Sequence, residues 1–210
     1  MEISTATNEL NLNDQVDKNP SEIKDLSALI EVIEEELQAE TAAPLWKKAK
    51  IEAALKNYAG SMDELSRYAL FDEHKNYTRN LIATDNETYS LMLICWNKEK
   101  FSPIHDHPCD GCWVKVIAGT VQEVRYKEKD GRMVETENIV VDSGVLYMHD
   151  SMGYHKVGNP SDSIDAMTLH LYCPPFEKCR LWLDETKADK FSEGVSCFYS
   201  EYGERIKYGK

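Results

Sequence analysis

The spacing of apolar residues changes character near residue 77. Upstream, apolar positions recur at three- and four-residue intervals, the period of a helix face. Ile23, Leu26, Leu29, Ile30, Ile33 and Leu37 form one stripe, with Ser21 placed to cap its helix. Ile51, Leu55 and Tyr58 form a second stripe that stops at Gly60. Ser61 and Glu64 have the spacing of a capping box for a short third helix through Leu70. The acidic run Glu34-Glu35-Glu36 reads as a solvated helix face. These helices are expected to cover a sheet and to carry no chemistry of their own.

From Tyr77 onward the pattern is that of strands. Leu91 to Trp96 is a short continuous apolar run, as in a strand covered on both faces. Asp130-Gly131 separates two strand-like segments and predicts a hairpin turn. Ile139 to Val141 and Val145 to Tyr147 continue the β character on either side of Asp142-Ser143-Gly144. Short strands, frequent turns and no crossover helices predict an antiparallel sandwich or barrel. Residues 1–20 are polar and aperiodic and end in Pro20, which predicts a flexible tail ahead of a single domain over 21–210. There is no internal repeat.

Composition narrows the class. A chain of 210 residues with 42% hydrophobic positions can bury a substantial core. The net charge of −13 argues against general binding to phosphate backbones or to anionic membranes. Met1-Glu2-Ile3-Ser4 offers neither the basic region nor the apolar core of a signal peptide, and no apolar run is long enough for a bilayer. Six scattered cysteines form no disulfide framework. A reducing, cytoplasmic setting is the expectation.

Candidate chemistry centres on His105-Asp106-His107. In a strand, His105 and His107 share a face while Asp106 points away. Two such imidazoles make a bidentate metal clamp. Taken alone, an H-x-H pair is weak evidence and leaves the reading of two surface histidines on a polar edge ahead. Pro108 and Asp110-Gly111 end the strand, and the next begins at Cys112, which predicts a clamp facing the start of its hairpin partner at a barrel mouth.

The wider spacing is more specific. Four residues separate His107 from Cys112, and six more separate Cys112 from Gly119. Further on, ten residues lie between Gly144 and His155, and three between His155 and Asn159. This resembles the two-part cupin signature, with His155 as a third ligand. Glu99 stands at the position of its opening glycine, and Asp150 and Met152 stand for a proline and a glycine. Cys112 replaces the glutamate that commonly joins the metal shell. The phrases Tyr77-Thr78-Arg79-Asn80-Leu81, Ile94-Cys95-Trp96, and Leu169-His170-Leu171-Tyr172 before Pro174-Pro175-Phe176 resemble the eukaryotic-type cysteine dioxygenases. The resemblance covers roughly residues 20–200.

The resemblance implies a mainly β, cupin-type antiparallel barrel or jelly roll with an N-terminal helical segment. It implies a monomeric enzyme of cysteine catabolism and taurine formation that oxidises L-cysteine with O2 to cysteine sulfinic acid. Spacing alone does not identify the metal, since cupins also hold zinc, manganese or nickel; Fe(II) comes from the resemblance. Its ligands would be His105, His107 and His155, leaving about half of an octahedral shell open. Losing the glutamate leaves the metal more positive, which suits an anionic thiolate. Arg79 and Tyr77 would bind substrate. Tyr172 would bring a phenol to the site, with His170 orienting its hydroxyl and Cys112 joined to it by a thioether. The family usually has serine where this chain has Thr168, and Cys109 is a second thiol that could compete with Cys112. The rival readings are a 3-mercaptopropionate or cysteamine dioxygenase, a non-catalytic metal-binding sensor, and an isomerase-type cupin.

Overall fold

In the computed structural model, which describes residues 22–39 and 49–207, Asp25 caps the first helix. The expected tail and the Ser21 cap lie outside the described residues. Helix α1 spans Leu26–Gln38, and the Asp25 carboxylate accepts from the Ala28 amide at 2.9 Å. Helix α2 spans Ala49–Asn57, so Tyr58 follows it rather than ending it. Helix α3 is only Met62–Leu65, followed by a 3-10 turn over Ser66–Tyr68. It stops short of Leu70 because the Leu70 amide turns to the Tyr68 carbonyl, at 2.9 Å, and not to the Ser66 carbonyl that a continuing helix would use.

Half of the expected capping box forms. Ser61 Oγ accepts from the Asp63 amide at 3.3 Å, but Glu64 turns away to the start of α1. There its Oε1 accepts from the Leu26 amide at 2.7 Å and its Oε2 from the Tyr58 hydroxyl at 2.8 Å. The first amides of a helix have no partner within it, so a carboxylate from a neighbouring helix satisfies one of them. The acidic face of α1 is likewise partly engaged, since Glu34 accepts from Tyr89 and Glu36 pairs with Lys50, each at 2.8 Å.

The strands are β1 Tyr77–Thr84, β2 Ser90–Trp96, β3 Lys100–Phe101, β4 Ile104–His105 and β5 Gly111–Ala118. They continue as β6 Val121–Lys129, β7 Arg132–Val141, β8 Val145–Met148, β9 Tyr154–Asn159 and β10 Ala166–Cys173. Strands β11 Lys178–Trp182, β12 Ser192–Val195, β13 Ser200–Glu201 and β14 Glu204–Arg205 complete the set. One sheet runs β14-β13-β1-β2-β10-β5-β8, the other β12-β11-β4-β9-β6-β7, with β3 pairing β9. Neither sheet closes on itself, so the architecture is the jelly roll of the two expected forms rather than a closed barrel.

Strand β2 is buried along its whole length, and alternation divides it between two cores. Leu91, Leu93 and Cys95 join Leu169 and Leu171 of β10 beneath Leu29, Ile33, Ile51 and Leu55 of the helices. Each fully buried leucine there contributes roughly 1.5–3 kcal/mol. Met92, Ile94 and Trp96 point the other way and meet Val121 and Val157 of the facing sheet. The helices therefore cover one face of the first sheet and leave its other face for the site.

The β6–β7 hairpin turns at Asp130 and Gly131, with φ of 53° and 75°, as a two-residue primed turn requires. Two departures from the cupin pattern find a physical reading. Glu99 holds φ 54°, the left-handed backbone that a glycine at this place adopts freely. Gly153, one residue beyond Met152, holds φ 110°, and a Cβ there would lie 2.7 Å from the Tyr126 carbonyl.

Candidate metal centre

His105 and His155 are direct register partners across β4 and β9. The spacing predicted that both histidines of the clamp lie on one strand; instead His107 joins from just past the end of β4, which ends at His105. Nor is β5 the hairpin partner of β4: β4 pairs with β9 and β11, whereas β5 pairs with β10 and β8 of the other sheet. Residues 106–110 instead cross from one sheet to the other. Asp106 does point away, and both of its oxygens are pinned by Arg180, at 2.7 Å from the amide and 2.6 Å from Nε. That pair anchors the crossing segment to β11.

One potential ligand atom from each of His105, His107 and His155 lies within 4.8 Å of the others. The surroundings fit a metal. His105 Nδ1 lies 3.0 Å from the Pro103 carbonyl, and His155 Nδ1 lies 2.6 Å from Glu123 Oε1. A ring that donates from Nδ1 keeps its Nε2 lone pair for a metal. His107 Nδ1 is buried without a hydrogen-bond partner. Burial lowers the pKa of His105 and lowers those of His107 and His155 well below the ordinary value, keeping the rings in the neutral form that ligates.

The other sheet supplies the remaining wall. Tyr77, Arg79, Ile94, Trp96, His170 and Tyr172 line a cavity of about 40 Å³ together with His105 and His155. Tyr77 and Arg79 sit at alternate positions of β1 and face it together, as expected. Thr168, His170 and Tyr172 alternate in the same way on β10, where His170 and Tyr172 line the cavity and Thr168 is buried behind them, and a chain of contacts links the three. The Trp96 indole donates to Thr168 Oγ1 at 2.8 Å, Thr168 Oγ1 lies 2.8 Å from His170 Nε2, and His170 Nδ1 lies 3.2 Å from the Tyr172 hydroxyl. The added methyl of Thr168 has not displaced its hydroxyl from His170. Burial lowers the His170 pKa well below its ordinary value and, with the nearby Cys112 thiol, raises that of Tyr172 well above its own.

Arg79 meets no carboxylate among the described residues, so it is not the exposed ion-paired arginine of an ordinary surface. Its Nε is buried without a partner, and its guanidinium lies 5.7 Å from the Tyr172 ring and 5.9 Å from that of Phe198. Cys112 is fully buried and stands opposite Tyr172 in the β5–β10 register. Cys109 is buried as well, on the crossing segment. Cys179 borders the cavity, and all six cysteines are free thiols. His149 contacts Ser151 at 3.0 Å, and His74 is exposed on a loop; neither joins the cluster.

Sequence reasoning missed Glu123 and Arg125. Both lie on β6, with Glu123 contacting His155 and Arg125 standing opposite it in register. Burial raises the Glu123 pKa, and the hydrogen bond and charge of Arg125 oppose that rise. A glutamate and an arginine two apart in a strand share a face, and in β6 that face also carries buried Val121. Opposite charges on an inward face were the available signal.

The model of the family described as cysteine dioxygenase type I matches residues 19–185. The chain is similar to cysteine dioxygenase type 1 of Danio rerio, at 30% identity over 164 residues covering 76% of this chain and 80% of that protein. It is similar to cysteine dioxygenase type 1 of Homo sapiens, at 33% identity over 160 residues covering 74% and 78%. Among solved structures it is similar to an RmlC-like cupin protein from Desulfovibrio desulfuricans, at 21% identity and a TM-score of 0.40, covering 51% of this chain and 90% of that one. This chain belongs to the cysteine dioxygenase type I family.

Proposed function

We propose that the chain is a thiol dioxygenase that converts L-cysteine and O2 to cysteine sulfinic acid. The reaction is R–SH + O2 → R–SO2H, so both oxygen atoms enter one product and no second reductant is consumed. The observation that carries this reading is the three-histidine cluster facing Arg79 and Tyr172 across a small cavity. His105, His107 and His155 would hold Fe(II), which supplies open coordination positions and the redox chemistry that couples a thiol to dioxygen.

The chain's own residues bind and orient. Arg79 offers a fork of donors to the substrate carboxylate, and its buried Nε is free for that purpose. Tyr77, whose hydroxyl burial keeps protonated, adds a donor from the same strand. With Thr168 donating to His170 Nε2, His170 carries its proton on Nδ1 and donates it to the Tyr172 oxygen. The Tyr172 proton is then available to the substrate. Ile94, Val157, Leu181 and Phe176 line the same cavity and exclude water from the thiol. Thiols pass through sulfenic to sulfinic and sulfonic states, and a closed, oriented site favours a clean stop at sulfinate.

A thioether between Cys112 and Tyr172 belongs to this reading, supported by their register pairing and burial. A cytoplasmic setting is supported by six free thiols; no described helix is long and apolar enough to cross a membrane. Oxygen consumption by iron-loaded protein, given L-cysteine, cysteamine or 3-mercaptopropionate in turn, tests the proposal. L-Cysteine should be the preferred substrate. Thiol binding with no oxygen consumption would favour a sensor instead.

A further inference from the structure

We propose that Glu123 supplies, from behind His155, the anionic charge that Cys112 removes from the metal's own ligand set. This rests on the three-histidine iron reading above. The three rings are supported unequally. His105 leans on a neutral carbonyl, His107 Nδ1 has no partner, and His155 alone contacts a carboxylate. That carboxylate is only 1% exposed and uses both oxygens, Oε1 at 2.6 Å from His155 and Oε2 at 2.9 Å from Arg125 Nη2.

Arg125 holds the glutamate in place. Its Nη1 pairs with Glu137 of β7 at 3.0 Å, and its Nη2 also donates to the Tyr147 carbonyl of β8 at 3.2 Å. Strand β8 belongs to the opposite sheet, so one guanidinium ties Glu123 to both layers of the jelly roll. A buried carboxylate with two charged or polar donors cannot rotate freely, and the His155 ring is fixed with it.

The consequence is chemical as well as geometric. A carboxylate accepting from the far nitrogen of a ligating imidazole fixes its tautomer and makes it a more basic ligand. A metal shell of three histidines without a carboxylate is then not electrostatically equivalent to three free imidazoles. Its negative charge would sit one ring away from the metal and not among its ligands. Glu123 is a positioning residue in this scheme, and Arg125 positions it in turn.

The test uses the full chain, freed of metal, with wild type compared to Glu123→Gln and Glu123→Ala. Co(II) titration followed by visible absorption gives affinity and ligand field, and iron-loaded samples give the Fe(III)/Fe(II) midpoint potential. Near-ultraviolet circular dichroism checks the fold of each metal-free variant. Glu123→Ala should weaken Co(II) binding about 10–100-fold, as losses of such outer contacts do. Glu123→Gln keeps one accepting oxygen and should weaken it less, yet its potential should rise because the charge is gone. Glu123→Gln with an unchanged potential would overturn the charge role, and Glu123→Ala binding Co(II) within about threefold of wild type would overturn the positioning role. Wild-type protein that takes up no Co(II) would instead contradict the underlying three-histidine metal reading.

Discussion

Cys112 and Tyr172 stand directly opposite each other in the antiparallel register of β5 and β10. Side chains paired in this way leave the same face of the sheet with their Cβ atoms about 4.5–5.5 Å apart. Both are buried, and burial raises the pKa of each well above its ordinary value, so both groups are protonated at rest. Linking them would remove two hydrogens and pin the phenol beside the metal centre. Peptide mass analysis after turnover should therefore find the Cys112 and Tyr172 peptides joined, at two hydrogens less than their sum. A link through Cys109, or none after extensive turnover, contradicts this.

Arg79 presents a different kind of test. Its side chain borders the cavity without a carboxylate partner among the described residues. Losing a charge-assisted contact to substrate in such a place costs about 1.5–3 kcal/mol, or roughly ten- to a hundredfold in kcat/KM. Arg79→Ala should lose that much on L-cysteine and far less on cysteamine, which has no carboxylate. The ratio of the two kcat/KM values, at equal iron loading, checks it; an unchanged ratio means that Arg79 does not read the carboxylate.

The histidine cluster makes a prediction about metal content. Replacing His105, His107 or His155 by alanine should remove most bound iron and most activity. Elemental analysis reads the first and circular dichroism confirms that the fold survives. Stoichiometric iron in the double variant His105→Ala/His107→Ala would exclude this ligand set.

Acid should destabilise the metal-free protein earlier than its surface charges imply. Burial lowers the pKa of His105, His107, His155 and His170 in the folded chain, while the unfolded chain titrates near the ordinary value of 6.5. Below that value the unfolded state binds more protons, so stability is full above it and falls as pH drops. The urea midpoint of metal-free protein should be lower at about pH 5.5 than at about pH 7.5, and His170→Gln should narrow the gap. Equal midpoints in the parent protein would contradict neutral, buried rings.

Much of this was legible in local pattern. Alternation placed Tyr77 with Arg79 and Thr168 with His170 and Tyr172, because strand geometry alone decides which residues share a face. The continuous apolar run of β2 was visible for the same reason. What alternation does not carry is which strands meet. His105 and Cys112 are seven residues apart and looked like hairpin neighbours, yet they belong to opposite sheets, because the segment between them crosses the jelly roll. Glu123 escaped notice because its partner, His155, lies 32 residues away on another strand. The helix ends were misplaced where other bonds replaced the helical ones: Glu64 serves α1 instead of its own helix, and the Leu70 amide turns to the Tyr68 carbonyl.

Labelled oxygen puts the central claim to its most direct test. Iron-loaded protein would be supplied with L-cysteine under ¹⁸O2 in ordinary water, and the product examined by mass spectrometry. A dioxygenase places both labelled atoms in the sulfinate, with one O2 consumed for each cysteine. Sulfinate carrying one labelled atom and one from water, or cystine as the only product, would contradict the account.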